Sequence, residues 1–120
     1  MFKIIPSRDE STVALEIEGE AKEEDASKLD QYVQANFREN ESFNMLVIFH
    51  DFDSATFKGL VKGMKFDTKR WNQFNKFAIL SDKKAMETFT KMGDHLPGVT
   101  AKHFKKNEQD QAWNWLKKAS

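Results

Sequence analysis

Residues 69–84 have the sequence KRWNQFNKFAILSDKK, and the apolar run at their centre, Phe77 to Leu80, decides the fold. Four apolar residues between polar neighbours are too few for most helices, and such a run is typical of a strand buried on both faces. Strands of this kind occur inside parallel or mixed sheets that helices cover. The run therefore predicts an α/β protein.

Four other segments have strand patterns. Phe43 to Phe49 is nearly all apolar and predicts the central strand. Phe2–Ile5 and Thr12–Glu18 flank a polar turn and predict an antiparallel hairpin. Apolar and polar residues alternate in Thr12–Glu18, so we expect only one of its faces to be buried. Val99 to Phe104 is the last predicted strand, and its charged residues mark it as an edge strand.

Helical periodicity separates these strands. We expect a first helix with an acidic start, a second over residues 54–70, a third over 82–93, and a last one that Asn107 caps. The order ββαβαβαβα predicts a mixed, mostly parallel five-stranded sheet with an N-terminal hairpin. At 120 residues the chain is expected to form one domain, residues 1–120. The inward residues of the first and last helices are Ala26, Leu29, Val33, Phe37, Ala112, Trp113 and Leu116.

Composition excludes several classes of protein. Hydrophobic residues make up 39% of the chain, including 11 Phe and 3 Trp, so a core can form without disulfides or metal. The absence of cysteine excludes thiolate catalysis and cysteine zinc sites. Residues 1–8 lack the apolar core of a secretory signal, and no run approaches the roughly 18 apolar residues of a membrane span. We therefore expect a cytoplasmic protein.

The net charge is zero, but the charges are unevenly distributed. Residues 1–42 hold 5 basic and 11 acidic side chains, whereas residues 54–76 hold 6 basic and 1 acidic. A neutral chain is a poor general binder of nucleic acid, which needs many phosphates neutralised. We expect no nucleic-acid partner, while a local basic patch leaves room for other anionic partners.

The element order is one of several features that occur together in this chain. The others are residues 70–82, Leu96-Pro97 before the last strand, Phe104, and residues 112–116. In this combination the chain resembles the SpoIIAA-like family of small bacterial proteins. The resemblance covers nearly the whole chain. It implies the STAS fold, which is related in shape to the lipid-binding CRAL-TRIO domains.

The resemblance also implies a non-enzymatic domain that binds a nonpolar ligand or lipid and associates with membranes through movable helices. The pocket would lie between the helices at 54–70 and 82–93. Two glycines in the first of these helices, Gly59 and Gly63, and the segment Met92-Gly93-Asp94 match no family role. The methionines of the pocket could equally fill an ordinary core. The matching ligand positions are Phe57, Leu60, Val61, Met64, Trp71, Phe74, Met86, Phe89 and Met92.

A stripe of four lysines runs beside the apolar stripe of the helix at 54–70: Lys58, Lys62, Lys65 and Lys69. This pattern is typical of a segment that lies on an anionic membrane, where each Lys contributes about 1 kcal/mol. It predicts reversible contact with a membrane surface, such as the inner membrane face. An ordinary helix packed on a sheet has the same charged outer face.

A regulatory switch is the alternative function. Asp53-Ser54-Ala55 follows a buried strand and precedes a helix, as does the phosphorylated serine of the anti-sigma-factor antagonists that share the STAS fold. A phosphate on Ser54 would meet a helix N-terminus. In the simpler interpretation, Asp53 or Ser54 only caps that helix.

The best case for an enzyme is three polar residues, His50, Asp51 and Asp82, at the predicted carboxyl ends of neighbouring strands. No nucleophile motif, oxyanion loop or phosphate loop accompanies them, and Asp82 fits a helix cap. His95 and His103 lack metal-ligand spacing. We therefore expect no catalytic residue, metal or cofactor. A homodimer is a further expectation, since a second copy of the chain could bury the apolar surface that helix motion would uncover.

Overall fold

The computed structural model describes residues 2–19, 23–50, 72–82 and 98–118. The predicted helices at 54–70 and 82–93 lie almost wholly outside these ranges. The described residues form five strands and two helices: β1 (Phe2–Ile5), β2 (Thr12–Glu18), α1 (Glu23–Asn36), β3 (Phe43–His50), β4 (Phe74–Ser81), β5 (Thr100–Lys105) and α2 (Gln109–Lys117).

The strands form one mixed sheet in the order β1-β2-β3-β4-β5. β1 and β2 pair antiparallel, with Phe2 opposite Ile17, and the other three pairings are parallel. β3 is the central strand, and its residues 43–49 are all buried. β5 is an edge strand of this sheet. The predicted α/β class, the N-terminal hairpin and the mostly parallel five-stranded sheet are therefore confirmed.

The pairing of β3 with β4 contains an irregularity near its start. Phe43 pairs with Phe74, but Met45 pairs with Phe77, so β4 has one extra residue there. The side chain of Asn44 compensates, because its Oδ1 accepts a hydrogen bond from the backbone N–H of Lys76 at 3.1 Å. A side-chain amide thus replaces a ladder bond at the bulge.

β4 begins at Phe74, three residues before the apolar run that predicted it. Phe74, a ligand position according to the family resemblance, is thus the first residue of a central strand. Its ring is only 4% exposed and stacks on Phe43 with ring centroids 5.5 Å apart. The polar residues that follow Phe74 hid the start of the strand, since Asn75 and Lys76 interrupt the apolar pattern.

Helix α1 covers one face of the sheet, which we call the α1 face. Its core is rich in phenylalanine, and tilted or stacked ring contacts link Phe37, Phe43, Phe74 and Phe77. Aromatic pairs in these arrangements add about 0.5–1.5 kcal/mol beyond the area that they bury. The buried members of this core are Val13, Leu15, Ile17, Leu29, Val33, Phe37, Phe43, Met45, Val47, Phe49, Phe74, Phe77 and Ile79.

Helix α2 covers the opposite face, which we call the α2 face. Its buried core consists of Ala14, Leu46, Ile48, Ala78, Leu80, Phe104, Ala112, Trp113 and Leu116. Because α2 packs there, the prediction that β2 is buried on one face only is wrong: Ala14 is buried and Glu16 is half-buried. Helix α2 thus covers the face of β2 that the alternating sequence pattern of this strand assigned to solvent.

The predicted inward residues of α1 and α2 lie in these two cores, except that Ala26 is only half-buried. The predicted cap of α2 is wrong. Glu108, rather than Asn107, is the N-cap residue, and it makes no side-chain capping bond. The Glu108 carboxylate instead accepts the backbone N–H of Lys105 at 2.8 Å, which fixes the turn between β5 and α2.

Candidate functional site

Polar and charged side chains collect where the parallel strands end. This carboxyl end of an open α/β sheet is the usual place for a ligand or regulatory site. β3 ends at His50, β4 at Ser81 with Asp82 next, and β5 at Lys105 with Lys106 next. Two hydrogen-bonded groups form there, one on each face of the sheet.

The first group, on the α2 face, centres on His50. Its Nε2 lies 2.7 Å from Glu16 Oε1, and its Nδ1 lies 2.9 Å from Lys106 Nζ. An ammonium group can only donate, so Nδ1 accepts from Lys106 and Nε2–H donates to the Glu16 carboxylate. The imidazole thereby joins β2 to the segment after β5, across the central strands. Both side chains of the His50–Glu16 pair are about 30% exposed.

The second group, on the α1 face, is the hydrogen-bonded pair of Ser81 Oγ and His103 Nε2. Partial burial of the imidazole lowers the pKa of His103 below the ordinary value of 6.5, although the nearby carboxylates of Glu108 and Asp82 oppose this shift. The imidazole is therefore neutral at pH 7. The Ser81 hydroxyl also contacts its neighbour's carbonyl, Asp82 O, at 3.4 Å.

The chemical capacity of these groups is limited. A Ser–His hydrogen bond is the arrangement that activates a serine nucleophile, but a nucleophile must also reach its substrate. Ser81 is only 1% exposed. His50 has both ring nitrogens engaged by Glu16 and Lys106, so neither is directed at a ligand. Within the described ranges, no three His, Asp or Glu side chains are grouped closely enough to hold a metal ion.

Most of the predicted site residues lie outside the described residues. This holds for Ser54, for Asp51, for His95, for the four lysines Lys58, Lys62, Lys65 and Lys69, and for Phe57, Leu60, Val61, Met64, Trp71, Met86, Phe89 and Met92. Of the ligand positions, only Phe74 is described, and it lies in the core of the α1 face. His50 and Asp82 do lie at the ends of adjacent strands, as predicted.

Sequence reasoning missed the partners that determine what the two histidines do. The sequence pattern assigns Glu16 to a solvent-exposed face, and Lys106 is one of many lysines. Neither residue could therefore be identified from the sequence as a partner of His50. Lys102 and His103 marked β5 as an edge strand, but Ser81 was not linked to His103. The pairing of Ile79 with His103 brings these two side chains together, and that register was not available from the sequence.

Comparison with known proteins gives one clear match. The sequence model of the SpoIIAA-like family matches residues 12–117, from the first residue of β2 to the last residue of α2. The chain belongs to the SpoIIAA-like family. This family is of the STAS type, whose domains are generally non-enzymatic and bind other proteins. No curated protein and no solved structure matches the chain. Neither described helix has the length and apolar character needed to cross a membrane.

Proposed function

We propose that this SpoIIAA-like domain is a STAS-type regulatory switch that binds a partner protein and is controlled by phosphorylation of Ser54. The observation that carries the proposal is the family match, which extends from β2 to α2 and includes Ser54. The domain would have no catalytic role of its own.

The position of Ser54 in the chain supports this function. β3 is the central strand of the sheet, and Ser54 follows its last residue, His50, by four positions. The loops after the carboxyl ends of parallel strands are where open α/β sheets present functional groups. A phosphate there would add about two negative charges and three strong acceptor oxygens, enough to change how a partner binds.

The geometry of the carboxyl end also favours binding over catalysis. His50 is held by Glu16 and Lys106, and His103 is hydrogen-bonded to the buried Ser81. A catalytic base needs an accessible nitrogen within hydrogen-bond reach of its substrate. In the described part of the chain these histidines hold strands and loops together, which suits a rigid platform for a partner.

Partner capture from the native cell tests the proposal. The tagged protein would be isolated as wild type, Ser54→Ala and Ser54→Asp, with phosphorylation sites and bound proteins identified by mass spectrometry. We expect phosphate on Ser54 and a stoichiometric partner that the wild type and Ser54→Ala retain. We expect Ser54→Asp to lose that partner, because the added charge at the contact must be desolvated.

Ser27→Asp is the matched control, because Ser27 is exposed on α1 and receives the same new charge. It should retain the partner. Loss of the partner from both variants would mean that added charge alone disturbs the protein. A partner that Ser54→Asp still holds, with no phosphate on Ser54, would contradict the proposal.

Binding of a nonpolar molecule or lipid acyl chain, with reversible docking on a membrane surface, is the second candidate function. It is motivated by the apolar and lysine stripes of residues 54–71. Native mass spectrometry would detect a retained acyl compound, and co-sedimentation with anionic vesicles should be lost in Lys62→Glu with Lys65→Glu. Vesicle binding that is unchanged by these substitutions would contradict the membrane function. Sedimentation velocity on the same samples tests the proposed homodimer.

A further inference from the structure

A groove lies between the edge strand β5 and one side of helix α2. Its lining residues on the helix are spaced i, i+3 and i+4, which places them on one stripe. Lys102 and Phe104 line it from β5, where alternate residues point to the same face. The groove has a volume of about 290 Å³; the helix contributes Gln111, Asn114 and Trp115, and the C-cap residue Lys118 follows them.

The walls of this groove are aromatic. Phe104 is buried and Trp115 is half-buried, and their ring centroids lie 5.9 Å apart with the ring planes at 56°. The ammonium group of Lys102 lies 5.3 Å from the centroid of the Phe104 ring. These contacts place an apolar surface beside a positive charge. Such a surface can bury an aromatic or aliphatic side chain of a partner.

A buried lysine lies behind the tryptophan. Lys76 is 6% exposed, and its Nζ lies 5.3 Å from the centroid of the Trp115 ring. The same Nζ donates to the carbonyl oxygens of Trp115, at 3.2 Å, and Lys118. These carbonyls belong to the last turn of α2 and its cap, where the helix dipole is negative. Lys76 therefore offsets the negative end of the dipole at the place where the groove lies.

In the described segment that forms the groove, positive side chains outnumber negative ones. Residues 98–118 contain five lysines and only two carboxylates. Both carboxylates have other partners: Asp110 Oδ1 accepts from Arg8 Nη1 at 2.6 Å, and Glu108 accepts the backbone N–H of Lys105. The described lining of the groove includes two ammonium groups and two side-chain amides but no carboxylate. The groove is thus suited to an anionic group that is next to an apolar one.

We infer that this groove binds an acidic segment of the partner protein, with a carboxylate between Lys102 and Lys118 and an apolar side chain against Trp115. The inference takes its partner class from the proposed function, since STAS-type domains bind proteins. The amides of Gln111 and Asn114 donate to the same carboxylate or to the backbone of the segment. Charge complementarity of this kind sets specificity and makes binding weaken as salt rises.

A short fluorescein-labelled peptide in which Glu alternates with Phe is the probe, and the same peptide with Lys in place of Glu is its control. Binding is measured by fluorescence anisotropy and mapped by NMR on the ¹⁵N-labelled full chain. We expect the acidic peptide alone to bind, more weakly at higher salt. The Trp115 indole N–H and the side-chain amides of Gln111 and Asn114 should shift, while the buried Trp113 indole should not.

Lys102→Glu with Lys118→Glu should weaken acidic-peptide binding roughly tenfold or more, because two exposed ion pairs become repulsive contacts. The matched control is Lys3→Glu with Lys28→Glu, two exposed lysines outside the groove with the same total change in charge. It should bind within about twofold of the wild type, a difference well under 1 kcal/mol.

An equal loss in both double variants, equal binding of the basic peptide, or no binding of the acidic peptide would overturn the inference. Its failure can be told apart from failure of the proposed function. If binding of a partner depends on Ser54 but is unchanged by Lys102→Glu with Lys118→Glu, the groove inference is wrong and the proposed switch stands. If the acidic peptide binds in the groove but no partner depends on Ser54, the groove inference stands and the proposed switch is wrong.

Discussion

The two faces of the sheet use different chemistry to hold their helices. On the α1 face, phenylalanine rings pack against one another. Of the described residues, the one buried charged side chain, Lys76, lies elsewhere, against Trp115 of α2. On the α2 face, the core is built from smaller side chains, one phenylalanine and one tryptophan, and the buried Lys76 lies beside it. Arg8 also lies over the Trp113 ring, 5.9 Å from its centroid. Apolar packing secures α1, whereas α2 is held by packing together with charge.

This difference separates stability from recognition. Truncation in a ring core of the α1 type is costly, because the surrounding structure relaxes only partly into the cavity that is left. The α2 face leaves lysines and a half-buried tryptophan at its border, where they can contact a partner. If this division holds, truncation in the α1 core should have the largest effect on stability, and removal of an exposed charge should have the smallest.

Phe77→Ala should lower the free energy of unfolding by about 3–5 kcal/mol, because Phe77 is fully buried and packs against Phe74 at 5.4 Å between ring centroids. Leu116→Ala on the α2 face removes fewer atoms and should cost about 2–3 kcal/mol. Urea denaturation measures both. A larger loss in Leu116→Ala would show that the α2 face, rather than the ring core, dominates stability.

Lys76→Met keeps the aliphatic stem but removes the ammonium donor to the carbonyl of Lys118. It also removes one of two donors to the carbonyl of Trp115, which still accepts the Lys118 backbone N–H at 3.3 Å. Loss of a buried hydrogen-bond partner costs about 1–3 kcal/mol, so we expect a loss of stability in this range and a change in Trp115 fluorescence. Lys118→Met, at an exposed site, should change stability by no more than about 0.5 kcal/mol. Similar small losses in the two variants would mean that the Lys76 charge does not hold α2.

His103 should make stability depend on pH. Its folded-state pKa is lowered by burial, so below pH 6.5 the unfolded chain binds a proton that the folded chain binds less readily. The stability contribution is complete above that pH and is lost as pH falls through the lowered pKa. Unfolding free energies measured from pH 8 to pH 5 should show this decline in the wild type, and His103→Gln should reduce it. An unchanged decline in the variant would assign the effect to other groups.

Arg8→Ala should have the smallest effect. The Arg8–Asp110 bridge joins the hairpin turn to α2, but its two side chains are 50% and 86% exposed. Exposed ion pairs contribute about 0.2–1 kcal/mol, so we expect a loss at the low end of that range that shrinks further in salt. A loss above 2 kcal/mol would show that this bridge, and not burial of Trp113, holds α2 on the sheet.

The sequence predicted the elements whose patterns are local. The apolar runs at Phe43 and Phe77 identified the two central strands, and alternation identified the hairpin. What it missed depended on residues distant in the chain. Burial of the second face of β2 depends on the packing of α2 against it. The start of β4 at Phe74 depends on pairing with β3. Asn107 has the chemistry of a cap, but the tight turn after β5 places Glu108 at that position.

The same limit applies to the candidate site. Histidine and aspartate at strand ends could be placed at one edge of the sheet from the predicted topology alone. Their hydrogen-bond partners could not, because Glu16 and His50 are not paired residues: Glu16 pairs with Ile48, and His50 pairs with Glu18. The contact between Glu16 and His50 depends on how their side chains are oriented across the β2–β3 pairing, and the sequence does not specify that orientation.

The most direct test of the account is the affinity of the captured partner for the unphosphorylated protein and for the same protein carrying one phosphate at Ser54. Isothermal titration calorimetry measures both, with the Ser27→Asp protein as the charge control. The account predicts that phosphate at Ser54 weakens binding roughly tenfold or more, which is about 1.4 kcal/mol, and that Ser27→Asp leaves it unchanged. Equal affinity of the two Ser54 forms would contradict it.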